Sequence, residues 1–372
     1  MKLKRRDAMK SIKILNLSDI HIGHPNTHAN FMFENIKKFF FKHTKLFENL
    51  DIITLSGDLT HKLLPTNSND YSVFTDLLIF LVSFCSNNNI KLRALEGTKS
   101  HDMGQMKNFY KIIDKLNYNV DFKYVDTLFI EHMKDLNFTI LYVPDELNNS
   151  NAKETFKDVL NLMKEHGLSK VNHVILHGQW NYNLPVSSKA NHNEEDYLSI
   201  CDGFISCGHI HEFSTYDRII MTGSFDRHNH GSECKKGTVL FEYNELGNEY
   251  LFLENENAKI YKTIHMEKYN PNELIAIIKK LKLPAGSFIR VKTKDLSIDK
   301  SVIKDIKNLF QDYTIDFASN KKEKTDVRSA LSEEIVGLQI TNDNIVSLVE
   351  EELENFNIVN KLDFIEELKK HI

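Results

Sequence analysis

The chain has 372 residues, 41% of them hydrophobic and 27% charged, and carries a net charge of −5. That length exceeds what one core comfortably serves, so two domains are expected, of the ordinary soluble globular kind. The charge excludes a global pull toward nucleic acid but leaves a local basic groove open.

The N-terminal "MKLKRRDAMKSIKILNL" mimics an export signal, but Lys13, Asn16 and Asp19 interrupt its apolar part too soon. "IKILNLSD" (12–19) and "LDIITLSGD" (50–58) are short aliphatic runs ending in a carboxylate. "NIKLRALEG" (89–97) and "VNHVILHG" (171–178) share the shape and end in glycine or histidine. Helical patterns lie between them, at 30–49, 70–88, 105–117 and 152–166. Inside the second, "LLIFLVSFC" (77–85) is about half the length that spans a bilayer, and reads as a buried helix face. The alternation predicts α/β architecture, in which ligands gather at the carboxyl ends of strands.

From about 203 the pattern becomes short strands and turns, "GFISCGHIH", "RIIMTGS", "KGTVLFEY", "EYLFLE" and "KIYKTIHM", expected to form a second sheet that finishes the first domain. After Pro271, "SFIRVKTKD" (287–295), a helix over 300–311 and "YTIDFAS" (313–319) predict a small βαβ unit. "NKKEKTD" (320–326) reads as a charged linker. Two amphipathic helices follow, the first carrying Ile345, Leu348, Val349 and Leu353; they either bind a partner or fold back onto the preceding unit. The boundaries expected are 10–265, 266–322 and 323–372. Cys85, Cys201, Cys207 and Cys234 lack CxxC spacing and read as core or loop thiols of a reducing compartment, hence a cytoplasmic protein.

The unusual polar residues sit at the strand ends: Asp19 and His21 in "SDIHIG", Asp58 in "SGDLTH", His101 in "GTKSHD", His177 in "ILHGQ", and His209 and His211 in "CGHIH". Imidazoles with carboxylates suit Mn²⁺, Fe²⁺ or Zn²⁺, and the lack of thiolate ligands argues against a structural zinc. Residues two apart on a strand share a face, and six candidate ligands are too many for one tetrahedral ion. A single histidine among 17 is by default a surface residue. That reading is kept for His24, His28, His43, His166, His192 and His371.

The ordered series D-x-H, G-D, H-D, H, G-H-x-H resembles the signature of the calcineurin-like metallophosphoesterases. Within them, the chain is similar to the SbcD-type nuclease subunit of the DNA double-strand-break repair complex and its phage recombination-endonuclease relatives. "TGSFDRHNHGSECKKGTVLFEY" (222–243) resembles that branch through Gly223, Ser224, Arg227, Glu233, Lys236 and Gly237, and "LPAGSFIRVK" (283–292) resembles the start of its small DNA-capping domain. The likeness covers most of the chain, strongly over 12–243 and more loosely after 270.

The resemblance implies a two-sheet sandwich flanked by helices, a βαβ capping domain and a helical tail. It implies a DNA exo/endonuclease acting at ends or hairpins in recombination and repair, loaded with two divalent ions, Mn²⁺ first and Mg²⁺ or Fe²⁺ as substitutes. Asp19, His21 and His211 would hold one ion, Asp58 would bridge, and His177 with His209 would hold the second. His101 would stabilise charge or protonate the leaving oxygen, with Asp102 orienting it. His61 would touch the strand being cut, or else is a first-turn helix residue. Arg227, Lys236 and Arg290 would contact phosphates, and the tail would bind an SMC-like coiled-coil ATPase. A homodimer without membrane attachment, in the host cytoplasm if phage-encoded, is also implied. One departure stands out: the family's G-N-H-D asparagine is absent, and Ser100, a shorter ligand, precedes His101. The alternatives are a nuclease-weak subunit that clamps DNA, and a generic phosphodiesterase or phosphatase of the same superfamily.

Overall fold

Strands with alternating apolar residues bury both faces when helices cover one side and another sheet the other. The computed structural model describes residues 11–183, 188–229, 232, 234–266, 268, 270–293 and 300–319. In chain order its first half runs β1 (Ile12–Leu17), α1 (Ala29–Lys42), α2 (Thr44–Phe47), β2 (Ile52–Ser56), α3 (Asn69–Asn88), β3 (Lys91–Leu95), α4 (Asn108–Leu116) and β4 (Phe122–Val125). There follow β5 (Phe129–Met133), β6 (Phe138–Val143), α5 (Ala152–Glu165), β7 (His173–His177), the short pair β8 (Gln179–Trp180) and β9 (Asn191–His192), and α6 (Glu194–Ile200). The remainder is β10 (Ile205–Gly208), β11 (Ser214–Tyr216), β12 (Ile219–Met221), β13 (Gly237–Asn244), β14 (Gly247–Glu254), β15 (Tyr261–Met266), α7 (Pro271–Leu281), β16 (Phe288–Thr293), α8 (Lys300–Leu309) and β17 (Thr314–Ser319).

The architecture is α/β, a sandwich of two six-stranded sheets flanked by helices. One sheet has the order β14-β13-β1-β2-β3-β4, the other β11-β12-β10-β7-β6-β5. Each has four parallel strands, β1 to β4 and β12-β10-β7-β6, with antiparallel strands at one edge of the first sheet and at both edges of the second. The period of two sorts the core. Ile14, Ile52, Ile140, Tyr142 and Ile175 point between the sheets. Leu15, Leu17, Ile53 and Leu55 point to the helices of the first sheet, and Leu141, Val143, Val174 and Leu176 to those of the second.

The strands after 203 do not form one sheet. β13 returns to pair with β1, β10 to β12 join the second sheet, and β15 pairs with β16 in a separate parallel sheet β15-β16-β17. That sheet has its own core with Leu274, Ile278, Val291 and Ile306. The helix expected over 30–49 is two, because the chain leaves the helical region at His43 (φ −102°, ψ 14°). Strands β4 to β6 had no counterpart among the expected elements. The linker over 320–326 and both terminal helices lie outside the described residues, as does His371. No helix among the described residues is long and apolar enough to cross a membrane.

Candidate metal centre

Both parallel cores end at the same edge of the sandwich, and the chain there must turn within a residue or two of its last ladder bond. Asp19, His21, Asp58 and His209 do so with φ of 51°, 53°, 54° and 93°, a left-handed region that costs non-glycine residues free energy and persists where the surroundings over-determine it. Backbone bonds from Asp19 N to Gly57 O (3.2 Å), His21 N to Asp58 O (3.0 Å) and His61 N to Ile22 O (2.9 Å) stitch the two loops together. Two glycines allow the sheets to close: a Cβ on Gly57 (φ +90°) would strike the His177 ring, and one on Gly208 would strike Ser18 Oγ and Ser56 O.

Asp58 lies at the centre, 2% exposed. Its Oδ2 is 3.4 Å from His177 Nε2, 3.8 Å from His21 Nε2 and 2.7 Å from His101 Nδ1. On one side, His21 Nε2 and His211 Nε2 stand 3.0 Å apart, with Asp19 Oδ1 3.9 and 3.8 Å from them. On the other, His177 donates from Nδ1 to Ser56 O (2.7 Å), which fixes the ring and turns Nε2 inward, buried and without a hydrogen-bond partner. Asp19, His21, Asp58, His177, His209 and His211 are thus gathered at one edge. Buried His and Asp groups here could hold a metal ion: Asp19 with Asp58 and His177, His21 with His211 and His228, and Asp145 with His177 and His209.

The electrostatics fit such a role. Burial would raise the Asp58 carboxyl, but His177 and the bond from His101 hold it well below the ordinary range. Burial opposes charge on His177, yet Asp58 outweighs it and holds the imidazole well above its usual pKa, so a cation there would displace a proton. Burial, joined by neighbouring imidazoles, pulls His21 and His228 well below 6.5, His24 to about 3 and His61 to about 4. They are neutral at pH 7, the form that ligates.

Sequence reasoning missed three residues. Both ring nitrogens of His228 are buried and unpartnered, and its ring centroid is 5.1 Å from His21 and 5.2 Å from His211. His24, read as a surface residue, packs 4.6 Å from His61 and 4.7 Å from His228. Asp145 Oδ2 lies 3.5 Å from His209 Nδ1. Neither His228 nor Asp145 belongs to a motif in the strand-end series. His61 itself sits beside His21, Nδ1 to Nδ1 3.4 Å. His192 is buried against Trp180 and Tyr197 rather than at the surface.

Four expected roles change. Asp102 does not orient the His101 ring: it is fully buried and accepts from the backbone N–H groups of Asp58 (2.9 Å), Gly97 (2.9 Å) and Thr60 (3.0 Å). Ser100 is exposed, while the buried Thr98 takes the place beside Asp58, with its N–H to Oδ1 (2.8 Å). The Arg227 guanidinium donates to the carbonyls of Ala258, Lys259 and Cys234. Lys236 is buried and donates to His211 O at 2.6 Å. A buried cation that satisfies a carbonyl is an internal strut, so Lys236 is not open to a phosphate, while the half-buried Arg227 spends both its terminal nitrogens on carbonyls. Arg290 is half-buried on β16, level with Thr263 and Asp316.

No family model matches the chain, and no curated protein matches it. Solved structures do. GAP50, titled the anchor in the inner membrane complex of Plasmodium, aligns with 11% identity and a TM-score of 0.36 over 78% of this chain and 98% of its own. TT1561 of Thermus thermophilus aligns with 8% identity and a TM-score of 0.36 over 65% and 99%. Likeness at this level assigns no function.

Proposed function

We propose that the chain is a metal-dependent phosphodiesterase of the calcineurin-like kind and that its substrate is DNA. One observation carries this reading: ligand-type side chains from β1, β2, β7 and β10 converge on a central carboxylate, Asp58, that lies within 3.8 Å of imidazoles on both sides. A pair of divalent ions, Mn²⁺ by preference, would supply a polarised phosphoryl oxygen and a water acidified for in-line attack. Asp19, His21 and His211 would hold the first ion and His177 and His209 the second, with the Asp58 carboxylate placed between the two groups. His101, its Nδ1 held by Asp58, keeps Nε2 for a proton that passes to the leaving oxygen. Burial lowers its pKa, but the Asp58 bond outweighs that and raises it, which suits an acid. DNA as substrate, the SMC-like ATPase partner and a homodimer rest on the resemblance over 222–243 and 283–292.

A second reading, hydrolysis of small phosphodiesters, is favoured by the internal bonding of Lys236, which removes an expected phosphate contact, and of Arg227, which engages its guanidinium with carbonyls. The test incubates purified protein and Mn²⁺ with labelled duplex and single-stranded DNA, and separately with bis(p-nitrophenyl) phosphate. We expect DNA cleavage abolished by chelator and reduced about 10²–10⁴-fold in His101→Ala. Cleavage of the chromogenic diester but not of DNA, with or without an ATPase partner, selects the second reading. Cleavage of neither overturns both.

A further inference from the structure

We infer that Asp145 supplies the oxygen ligand of the second ion, so that a carboxylate stands where the resembled family uses an asparagine amide; this rests on the metal-dependent reading above. In the segment "YVPDELNNS" β6 stops at Val143, before Pro144, which cannot donate to a ladder, and the chain then passes through left-handed residues at Glu146, Asn148, Asn149 and Ser150 (φ 53°, 53°, 54° and 57°). A short loop so constrained fixes where Asp145 lies. Its Oδ1 accepts from Glu146 N at 2.8 Å, which leaves Oδ2 as the oxygen directed at His209.

Three donor atoms meet there. Asp145 Oδ2 is 3.5 Å from His209 Nδ1, and Asp145, His209 and His177 each offer a ligand atom within 4.8 Å of the others; His177 Nε2 is wholly buried and has no hydrogen-bond partner. Between the carboxylates of Asp145 and Asp58 stands one hydroxyl, Thr98 Oγ1, at 3.2 and 3.3 Å. A threonine hydroxyl has one proton, so it serves Asp58 or Asp145 but not both. Asp58 also has the His101 ring and Thr98 N, whereas the only other partner of Asp145 Oδ2 among the described residues is the His209 ring. A divalent cation on the His177–His209 side would give Asp145 Oδ2 a partner that the shared hydroxyl cannot always supply.

The loop that lacks the asparagine is tied to the loop that carries Asp145. Lys99 N donates to Glu146 Oε2 (2.9 Å) and Lys99 Nζ to Glu146 O (3.0 Å). Lys99 and Ser100 are the two residues that separate Thr98 from His101, so the loop that carries His101 is the one that docks against the 144–150 turn. The lost amide and the gained carboxylate are two sides of one rearrangement.

The test counts Mn²⁺ in the full chain, stripped by chelation and re-equilibrated, and records its low-temperature EPR spectrum, which distinguishes coupled pairs from isolated ions. Wild type should hold two ions per chain with a coupled spectrum. Asp145→Ala should hold one and lose the coupling, at an apo melting temperature close to wild type. Asp145→Leu, close in size but without a donor atom, should likewise weaken the second ion by at least about 10–100-fold, the range seen when even a ligand's partner is lost, and it decides the matter if the alanine variant does not fold. Two ions of unchanged affinity in the variants overturn the assignment to Asp145 and leave the phosphodiesterase reading standing. A single ion in wild type also overturns it. No bound ion in wild type overturns the metal-dependent reading itself.

Discussion

Replacing Asp102 by alanine tests whether this carboxylate braces the loops or tunes His101. It removes a carboxylate shared by three buried backbone N–H groups: Asp58 N and Gly97 N on Oδ2, both at 2.9 Å, and Thr60 N on Oδ1 at 3.0 Å. A buried N–H left without a partner costs about 1–3 kcal/mol, so the gross loss is about 3–9 kcal/mol. Part is returned, because burial and the neighbouring Asp58 push the Asp102 carboxyl up to about 7, a sign of the repulsion that its removal relieves. The net expectation is a loss of about 2–4 kcal/mol, at the upper end for a single substitution. Asp102→Asn keeps one oxygen for Asp58 N and Gly97 N and should lose clearly less. The assay is urea unfolding of the metal-free protein at pH 7.5, followed by the fluorescence of Trp180, its single tryptophan and fully buried in the sandwich. If Asp102→Ala unfolds within about 0.5 kcal/mol of wild type, as an uncoupled surface residue would, the bracing role is refuted, and a shifted pH–rate profile would return Asp102 to His101.

His173 is buried between Tyr243 and Ser206, and burial pulls its pKa down to about 3, so the unfolded chain takes up a proton between pH 6.5 and 3 that the folded one does not. Its contribution is therefore present above pH 6.5 and lost on acidification, and wild type should lose roughly 3 kcal/mol more than His173→Gln between pH 6.5 and 4; parallel pH–stability curves would sink this. Arg93 on β3 crosses the sandwich to Glu131 on β5 (2.8 and 3.1 Å), so Arg93→Ala should cost about 3–5 kcal/mol and the Arg93→Met/Glu131→Met pair much less. Equal losses in urea unfolding would rule that out. Gly57→Ala should displace His177 and weaken Mn²⁺ binding at least about tenfold. Gly104→Ala, left-handed (φ +71°) with only the Lys107 side chain near, isolates backbone strain and should leave Mn²⁺ affinity unchanged.

The strand-end residues were legible because two local signals coincide: an aliphatic run of strand length, and a carboxylate or imidazole where that run stops. Asp19, His21, Asp58, His177, His209 and His211 carry both. Asp145 carries only a turn signal, since Pro-Asp-Glu after an apolar run is ordinary loop chemistry, and β6 itself was not foreseen. What makes it a candidate ligand is the order of the second sheet, in which β7 lies between β6 and β10 and sets the 144–150 loop beside His177 and His209. No spacing within the chain encodes that adjacency. Arg227 and Lys236 fail for the opposite reason. Their charge suggests phosphate, but whether a cation meets solvent or a carbonyl depends on chain elements 25 to 32 residues away, such as Ala258, Lys259 and the loop of His211. In the "GTKSHD" loop, adjacency to His101 singles out Ser100, whereas the buried side is set by Thr98, whose N–H is spoken for by Asp58.

A site drawn from two sheets needs their relative position fixed to a fraction of an ångström, and apolar packing alone is not directional enough to do that. Directionality enters through a polar layer just beneath the ligands. Asn16 on β1 accepts from Thr54 (2.6 Å) and Ser56 (2.7 Å) on β2 and donates to Thr222 (2.7 Å), which follows β12 of the opposite sheet. Ser56 O in turn receives His177 Nδ1 from that opposite sheet at 2.7 Å. Each bond restricts sliding along the strands, because a slip of one residue would leave buried hydroxyls and an amide unpaired in a region of low dielectric. The same groups are poor choices for stability alone, since apolar residues of similar size would cost nothing in desolvation. Their presence at the carboxyl edge, where Asp58 must face His21 and His177 at once, is accounted for by alignment of the two half-sites.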